Sequence, residues 1–254
     1  MFKVRKGYEI EGYVLEELVG AGGFSSVYKA RSLSPVPRYD TVIAVKALHP
    51  RRLDRRQIRR FVREAKISMN LRHPNIVKVF NIVKQGRNYF IIMEYLDADL
   101  LKAIKSRPSI FTSQNIIEII KSAARGLDYV HKSGIIHKDI NPSNILISYS
   151  LEKIKFTDFG LAWQRRMFMK EQESKAGTEG YLAPERLKGA PSDIKTDIYS
   201  FGKTVERIYR ELGFEFPENV LRIIRKATHP EKEERFANVQ ALIDSLDGKV
   251  EHAY

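Results

Sequence analysis

The period of the apolar pattern changes once along this chain, and that change constrains its fold more than any other feature. Up to about residue 95 the apolar side chains mostly alternate with polar ones. Tyr13, Leu15 and Val19 are spaced this way, and the runs Val27-Tyr28-Lys29-Ala30 and Thr41 to Lys46 follow. Gly20, Gly22 and Gly23 separate the first two runs, and Pro35 and Pro37 mark a turn before the third. One helix is predicted within this region, over 55–70. Ile58, Phe61, Val62, Ala65 and Met69 form its apolar face, and Pro74 lies where it should stop. Two more strands are predicted at 76–83 and 89–95. From about residue 98 the spacing turns helical. Ile116, Ile120, Ala123, Leu127 and Val130 make a long stripe, and 194–212 and 217–246 read as further helices. Only 135–157 returns to short apolar strands. Strands and helices segregated in this way predict an α+β fold. A small antiparallel sheet with one helix covers about 8–95, a hinge lies near 94–97, and a larger, mostly helical part covers about 98–248. Together they make one domain over 1–254.

Composition narrows the function classes. Hydrophobic residues are 43% and charged residues 30%, which excludes a disordered chain. Cysteine is absent, which excludes disulfides, zinc–cysteine sites and a cysteine nucleophile. No apolar run approaches the ~18 residues that would span a bilayer. The first residues lack an apolar stretch of signal-peptide length. A soluble, cytoplasmic protein with no membrane partner is expected. Lys plus Arg outnumber Asp plus Glu by 44 to 31, a formal charge of +13 that favours anionic partners.

Three motifs carry chemistry. Gly20-Ala21-Gly22-Gly23-Phe24-Ser25-Ser26-Val27 joins two strands, and residues without Cβ let backbone N–H groups approach phosphate oxygens. Ala44-Val45-Lys46 ends an apolar strand, where an ammonium needs a partner, and Glu64 on the next helix can supply it. His137-Lys138-Asp139-Ile140-Asn141-Pro142-Ser143-Asn144 precedes Ile145-Leu146-Ile147, and Thr157-Asp158-Phe159-Gly160 follows. A carboxylate, an amide five residues on and a second carboxylate after a hairpin can converge on a metal and on nucleotide phosphates. Hard divalent cations take oxygen ligands, and an amide plus one carboxylate suits magnesium.

With Gly177-Thr178-Glu179-Gly180-Tyr181, Ala183-Pro184-Glu185 and Asp197-Ile198-Tyr199-Ser200-Phe201-Gly202, these motifs resemble the eukaryotic-type protein kinase family over nearly the whole chain. The resemblance implies a bilobal kinase fold, and transfer of phosphate from ATP to protein Ser or Thr hydroxyls. It implies magnesium, with manganese as the alternative ion. Lys46 should hold the α- and β-phosphates, oriented by Glu64, beneath the loop of Gly20, Ala21, Gly22, Gly23, Phe24, Ser25 and Val27. Asp139 should deprotonate the substrate hydroxyl, and Asn144 and Asp158 should bind the metal. Glu94 and Leu96 should offer backbone groups to adenine, with Met93 behind it, Ala44 and Leu146 on its faces, and Asp99 near the ribose. His137 and Phe159 look like members of an internal apolar spine, and Asp197 like its anchor. Glu185 should pair with Arg235. Ser174 is the better autophosphorylation candidate in the 161–183 loop, because Thr178 is expected to pack near Asp139.

The chain departs from that family in places. Asn141 stands where the family usually has a lysine that touches the γ-phosphate, and a neutral amide cannot neutralise charge there. Lys138 replaces an arginine and lacks its bidentate fork. Ser25 replaces the last loop glycine and needs a negative φ. Ser68 stands where the spine takes a large apolar residue. Either Met69 repacks there, or the active state is less stable than usual. After Phe201-Gly202 one helix leads through Gly213-Phe214-Glu215-Phe216-Pro217 directly to the next, so a helix that commonly docks substrates is expected to be missing or reduced. Two other readings stay open. Asn141, Lys138, Ser25 and Ser68 suit a nucleotide-binding scaffold without turnover. The reduced helical part suits a small-molecule kinase, whereas the Ala183-Pro184-Glu185 segment favours a protein substrate.

Residues 51–63 read RRLDRRQIRRFVR, seven arginines against one aspartate. Arg51, Arg55, Arg59 and Arg63 fall on one helical stripe, with Arg52, Arg56 and Arg60 beside it. The two readings are a solvated helix face and an anion site for an acidic or phosphorylated partner. Nucleic acid is not the expected main partner, because no aromatic residues interleave the arginines to stack bases. The clearest expected outcome concerns Asn141. Asn141→Lys should raise kcat for phosphoryl transfer, measured with labelled ATP, and an unchanged or lower rate would count against a missing charge.

Overall fold

The structure is a computed structural model and describes residues 4–49, 55–164 and 177–249. The chain divides into two compact units, Met1–Arg72 with Val77–Asp97, and His73–Ile76 with Ala98–Tyr254.

The first unit is a six-stranded antiparallel sheet with one helix. Its elements are β1 (Glu9–Ile10), β2 (Tyr13–Ala21), β3 (Ser25–Ser32), β4 (Val42–Leu48), α1 (Arg55–Asn70), β5 (Val79–Gln85) and β6 (Asn88–Glu94). The strand order is β1-β2-β3-β4-β6-β5. Strand β4 sorts its side chains by parity. Ile43, Val45 and Ala47 are buried with Tyr13, Leu15, Phe90 and Ile92 on one face. Leu48 packs on the other with Phe61 and Ala65 of α1 and Ile91 of β6. Lys46 has the parity of Leu48 and therefore projects to the α1 side. Burial of a side chain such as Phe61 contributes about 1.5–3 kcal/mol, and this apolar seam fixes α1 against the sheet.

Two expectations fail here. The strand predicted at 76–83 begins only at Val79. Ile76, which belongs to the second unit, instead follows a turn, its N–H donating to His73 O at 3.1 Å, and bridges Phe156 within that unit. Met69 is 37% exposed, while Ile67 and Ser68 are buried. Seven residues on from Phe61 a helix returns to nearly the same azimuth, and eight residues carry it ~80° further round.

The second unit is mainly helical. It comprises β7 (Ala98–Asp99), α2 (Leu100–Ser106), α3 (Ser113–Lys132), β8 (Ile135–Ile136), β9 (Ile145–Ile147), β10 (Ile154–Phe156), β11 (Trp163–Gln164), α4 (Pro184–Leu187), α5 (Ile194–Leu212), α6 (Glu218–Ala227) and α7 (Val239–Leu246). The short strands pair as β10-β9-β7 and β11-β8. Capping boxes at Thr112/Asn115 and Asp193/Thr196 start the two long helices. The helix predicted over 217–246 is broken. It stops at Thr228, passes Pro230, which lacks an N–H, makes one 3-10 turn at Lys232–Glu234, and restarts behind the Asn238 cap. The α+β class and the strand-rich and helical parts agree with expectation. No helix among the described residues is long and apolar enough to cross a membrane.

Helix α5 reaches α6 through Gly213–Pro217 alone. Its polar side is paired within itself, Lys203 with Glu206, Arg210 with Glu206, and Arg207 with Glu211. On another side Gly202 lets α6 come close. A Cβ there would lie 2.8 Å from both Ala227 Cβ and Thr228 Cγ2. Gly202→Val should therefore overpack this contact at a cost of roughly 1–3 kcal/mol and lower Tm by several degrees. Calorimetry giving an unchanged or higher Tm would contradict the close packing.

Candidate active site

In the first unit Lys46 Nζ donates to Glu64 Oε1 at 2.5 Å, with both side chains nearly buried. Desolvation offsets much of the Coulombic gain of such a pair, but removing one partner strands the other charge, at about 3–5 kcal/mol. Ser68 is buried, and its hydroxyl donates to Glu64 O at 2.9 Å. Met69 is 37% exposed and is not among the residues packed in the α1 seam. The loop between β2 and β3 closes with Gly22 N donating to Ser25 O at 2.8 Å. Ser25 has no positive φ, so its Cβ is tolerated. Gly20, Gly22 and Gly23 have none either, and a Cβ on them would meet nothing closer than 3.7 Å. The chain itself therefore does not require glycine there.

In the second unit the arrangement is built around Asp197 on α5, which is 1% exposed. Its Oδ2 accepts from His137 N at 2.8 Å and from His131 Nε2 at 2.9 Å, and its Oδ1 accepts from Lys138 N at 2.8 Å. Lys138 has φ +70°, a left-handed conformation that costs a non-glycine residue about 1 kcal/mol or more. Two main-chain bonds to a buried carboxylate hold it. Burial raises the Asp197 pKa, but the hydrogen bonds from His131 and from the His137 N–H outweigh it, so the net shift is downward. His137 is fully buried. Its Nε2 donates to Thr157 O at 3.1 Å while Nδ1 accepts from Asp139 N at 3.4 Å, an Nε2–H tautomer fixed by its neighbours. Its ring lies 4.9 Å from that of Phe159, also buried.

Asp139 follows directly. Its Oδ1 accepts from Thr178 N at 3.0 Å, Thr178 Oγ1 at 2.7 Å and Asn141 Nδ2 at 3.2 Å. Its Oδ2 accepts from Asn144 Nδ2 at 3.0 Å. Asn141 is buried. Its Nδ2 also reaches Thr178 Oγ1 at 3.0 Å, and its Oδ1 accepts from Ser143 N at 2.9 Å. A lysine at 141 could make the first two bridges but not the last. Asn144 Nδ2 is committed to Asp139, to its main-chain oxygen at 2.8 Å as well as to Oδ2. No hydrogen bond from the described residues occupies the opposite end of that amide, Oδ1. Asp158 has φ +62° and accepts from Gly160 N at 3.2 Å. No group of three His, Cys, Asp or Glu among the described residues could cage a metal by itself. An amide oxygen and one carboxylate fit a magnesium ion that takes its remaining ligands from phosphate and water.

Other predicted residues fall as follows. Arg235 Nη1 and Nη2 donate to Glu185 Oε1 and Oε2 at 2.7 and 2.8 Å. The rest of the guanidinium meets the main-chain oxygens of His229, Lys195 and Pro230, which uses all five donors. Asp99 caps α2 by accepting from Lys102 N at 2.8 Å. Glu94 is buried at the end of β6, exchanging bonds with the main chain of Lys78, and Leu96 is buried after it. Ala44 and Met93 are paired neighbours on β4 and β6. Leu146 lies in β9 and Val27 in β3. Phe24 is exposed. Ser174, Arg51 and Arg52 lie outside the described residues.

Sequence reasoning missed His131, whose spacing from Asp197 gives no signal. It also missed His49, whose Nε2 lies 2.7 Å from Ser26 Oγ and whose N–H donates to Phe24 O at 2.8 Å.

The protein kinase domain family matches residues 13–244. A "probable serine/threonine-protein kinase" of Clostridium perfringens is 37% identical over 192 residues, 75% of this chain and 27% of its own. Serine/threonine-protein kinase PknJ of Mycobacterium tuberculosis is 35% identical over 212 residues, 80% of this chain and 34% of its own. Serine/threonine-protein kinase PrkC of Bacillus subtilis is 33% identical over 199 residues, 77% of this chain and 30% of its own. The chain thus spans only about a third of these relatives or less.

Asp197 yields a test independent of any activity. Its folded pKa lies below its unfolded value, so its stabilising contribution is present above the ordinary carboxylate pKa and is lost as pH falls through the depressed one. Asp197→Asn turns an NH2 toward donors that need an acceptor and should cost about 3 kcal/mol at neutral pH. It should also flatten the acid limb of the stability curve, measured by urea unfolding across pH. A variant with the wild-type acid limb would remove Asp197 from this role.

Proposed function

The chain belongs to the protein kinase family, and on that premise we propose that it transfers the γ-phosphate of ATP to serine or threonine hydroxyls of proteins. The observation that carries this reading is the Asp139 carboxylate, held at both oxygens by Asn141, Asn144 and Thr178. So restrained, it can orient a hydroxyl and accept its proton as the oxygen attacks phosphorus and the bond to the β-phosphate breaks, releasing ADP. Lys46, fixed by Glu64, holds the α- and β-phosphates under Gly20–Val27. Asn144 and Asp158 would hold magnesium or manganese, which would neutralise phosphate charge. Ala44, Met93, Glu94, Leu96, Asp99 and Leu146 receive the nucleoside. Asn141 ties Asp139 to Thr178 and so holds position while supplying no charge.

The serine/threonine preference rests on the Gly177–Glu185 segment and on the names of the relatives. Autophosphorylation in the 161–183 loop, with Ser174 as acceptor, belongs to the same proposal. So does an acidic or phosphorylated partner at the arginine helix. A cytoplasmic setting suits a chain without cysteine.

Labelled ATP, magnesium and a basic protein substrate test the reaction. Asp139→Asn should lower kcat by about 10²–10⁴-fold while ATP still binds, and acid hydrolysis should return phosphoserine or phosphothreonine. Phosphotyrosine would overturn the hydroxyl class. Full transfer by the variant would overturn the role of Asp139.

A further inference from the structure

The loop between β2 and β3 is held mainly from its β3 side. The β2 arm is irregular, with register shifts at Leu15–Glu17 and at Leu18–Gly20. The β3 arm pairs with β4 without a break, from Arg31 opposite Val42 to Ser25 opposite Leu48. Phe24 at the tip is 59% exposed, so apolar packing does not fix it. Among the described residues, three hydrogen bonds outside the strand ladders reach the tip. Gly22 N donates to Ser25 O at 2.8 Å, His49 N donates to Phe24 O at 2.8 Å, and Ser26 Oγ lies 2.7 Å from His49 Nε2. His49, which is half-buried, supplies two of the three. Its main chain and its ring grip the loop on either side of Ser25.

Strand parity limits what this grip can touch. Ser26 pairs with Ala47, so its side chain stands on the sheet face of Ile43, Val45 and Ala47. Ser25 and Val27 have the opposite parity and stand on the face of Lys46, which pairs with Val27. The His49 ring meets Ser26 on the face away from Lys46, and it acts on the Lys46 side only through the strand between them. We propose that His49 is a positioning residue for the nucleotide, latching the β2–β3 loop through Ser26 so that the loop is already set to receive the phosphates of ATP. This inference rests on the reading of that loop as the phosphate cover. A loop ordered before binding loses less conformational freedom on binding. A latch that favours the bound substrate and the transition state equally changes affinity and leaves the chemical step alone.

His49→Ala and Ser26→Ala each remove the side-chain bond and leave the bond from His49 N to Phe24 O in place. Each should weaken ATP binding about fivefold, which is ~1 kcal/mol, measured by calorimetry with magnesium present. KM for ATP should rise by the same factor, while kcat changes by no more than about twofold. Amide hydrogen exchange over Gly22–Ser26 should quicken in both variants. The double variant should be no worse than either single one, because both lose the same bond. His49→Gln should restore the affinity. Its terminal amide reaches the place of Nε2 and can donate to the hydroxyl or accept from it, whichever way the native bond runs. Wild-type affinity in both alanine variants would overturn the latch, and so would a fall in kcat and Tm with KM unchanged. Failure of the wild type to bind ATP would instead overturn the kinase reading. Hydrogen exchange then decides the latch by itself, since unchanged rates in the variants would remove it and faster rates would support it.

Discussion

One buried carboxylate organises the helical unit. Asp197 lies inside α5, and a charge at that depth is tolerated only when donors surround it. Two of its three donors are consecutive main-chain N–H groups, at His137 and Lys138. Aiming both at one side chain forces the backbone into the left-handed turn at Lys138, and that turn delivers Asp139 to Thr178, Asn141 and Asn144. His131, on the preceding helix, completes the set from a third direction. The strain at Lys138 and the desolvation of Asp197 are therefore linked costs, each kept in place by the other.

The sheet unit rests on a simpler device. Strand parity sends Lys46 to the α1 side, and the apolar seam of Leu48, Phe61, Ala65 and Ile91 holds α1 there. Glu64 then meets Lys46 because it lies between Phe61 and Ala65 on the same buried side. The helix works against its own placement. Its charges repel over several i, i+3 and i, i+4 pairs at about 0.2–0.5 kcal/mol each, and Ser68 contributes no large side chain to the seam. Hydrophobic burial outweighs these terms, so the helix forms, but with less margin than its packing alone would give.

Much of this was legible from periodicity and spacing. The alternating runs became β2, β3, β4 and β6, and the long stripe from Ile116 to Val130 became α3. The failures share a cause, which is that pattern does not reveal partners outside its own window. Ile76 looks like the start of a strand until Phe156, eighty residues on, takes it. Met69 belongs to a five-residue apolar pattern, but helix geometry gives the buried place to Ser68. The break between α6 and α7 was visible in Pro230 and Asn238, yet apolar spacing on both sides masked it. His131 had no local signature, since its role follows from the need of a distant carboxylate. The roles of Asn141 and Thr178 were readable only as positions near Asp139, because hydrogen-bond direction is a property of the folded loop.

Position 141 separates two functions that one side chain often combines. A cation there can bridge the catalytic loop to the following segment and can also neutralise phosphate. The amide of Asn141 keeps the bridge, since Nδ2 lies within reach of both Asp139 and Thr178. It adds a cap on Ser143 N that no ammonium could make, because an ammonium accepts nothing. It gives up the charge. Burial explains why an amide is tolerated, because a neutral group in that enclosed network avoids the desolvation that a lysine would incur when no phosphate is near. Geometry around Asp139 is thus secured by the loop's own hydrogen bonds. In this chain the loop is stable first and electropositive second.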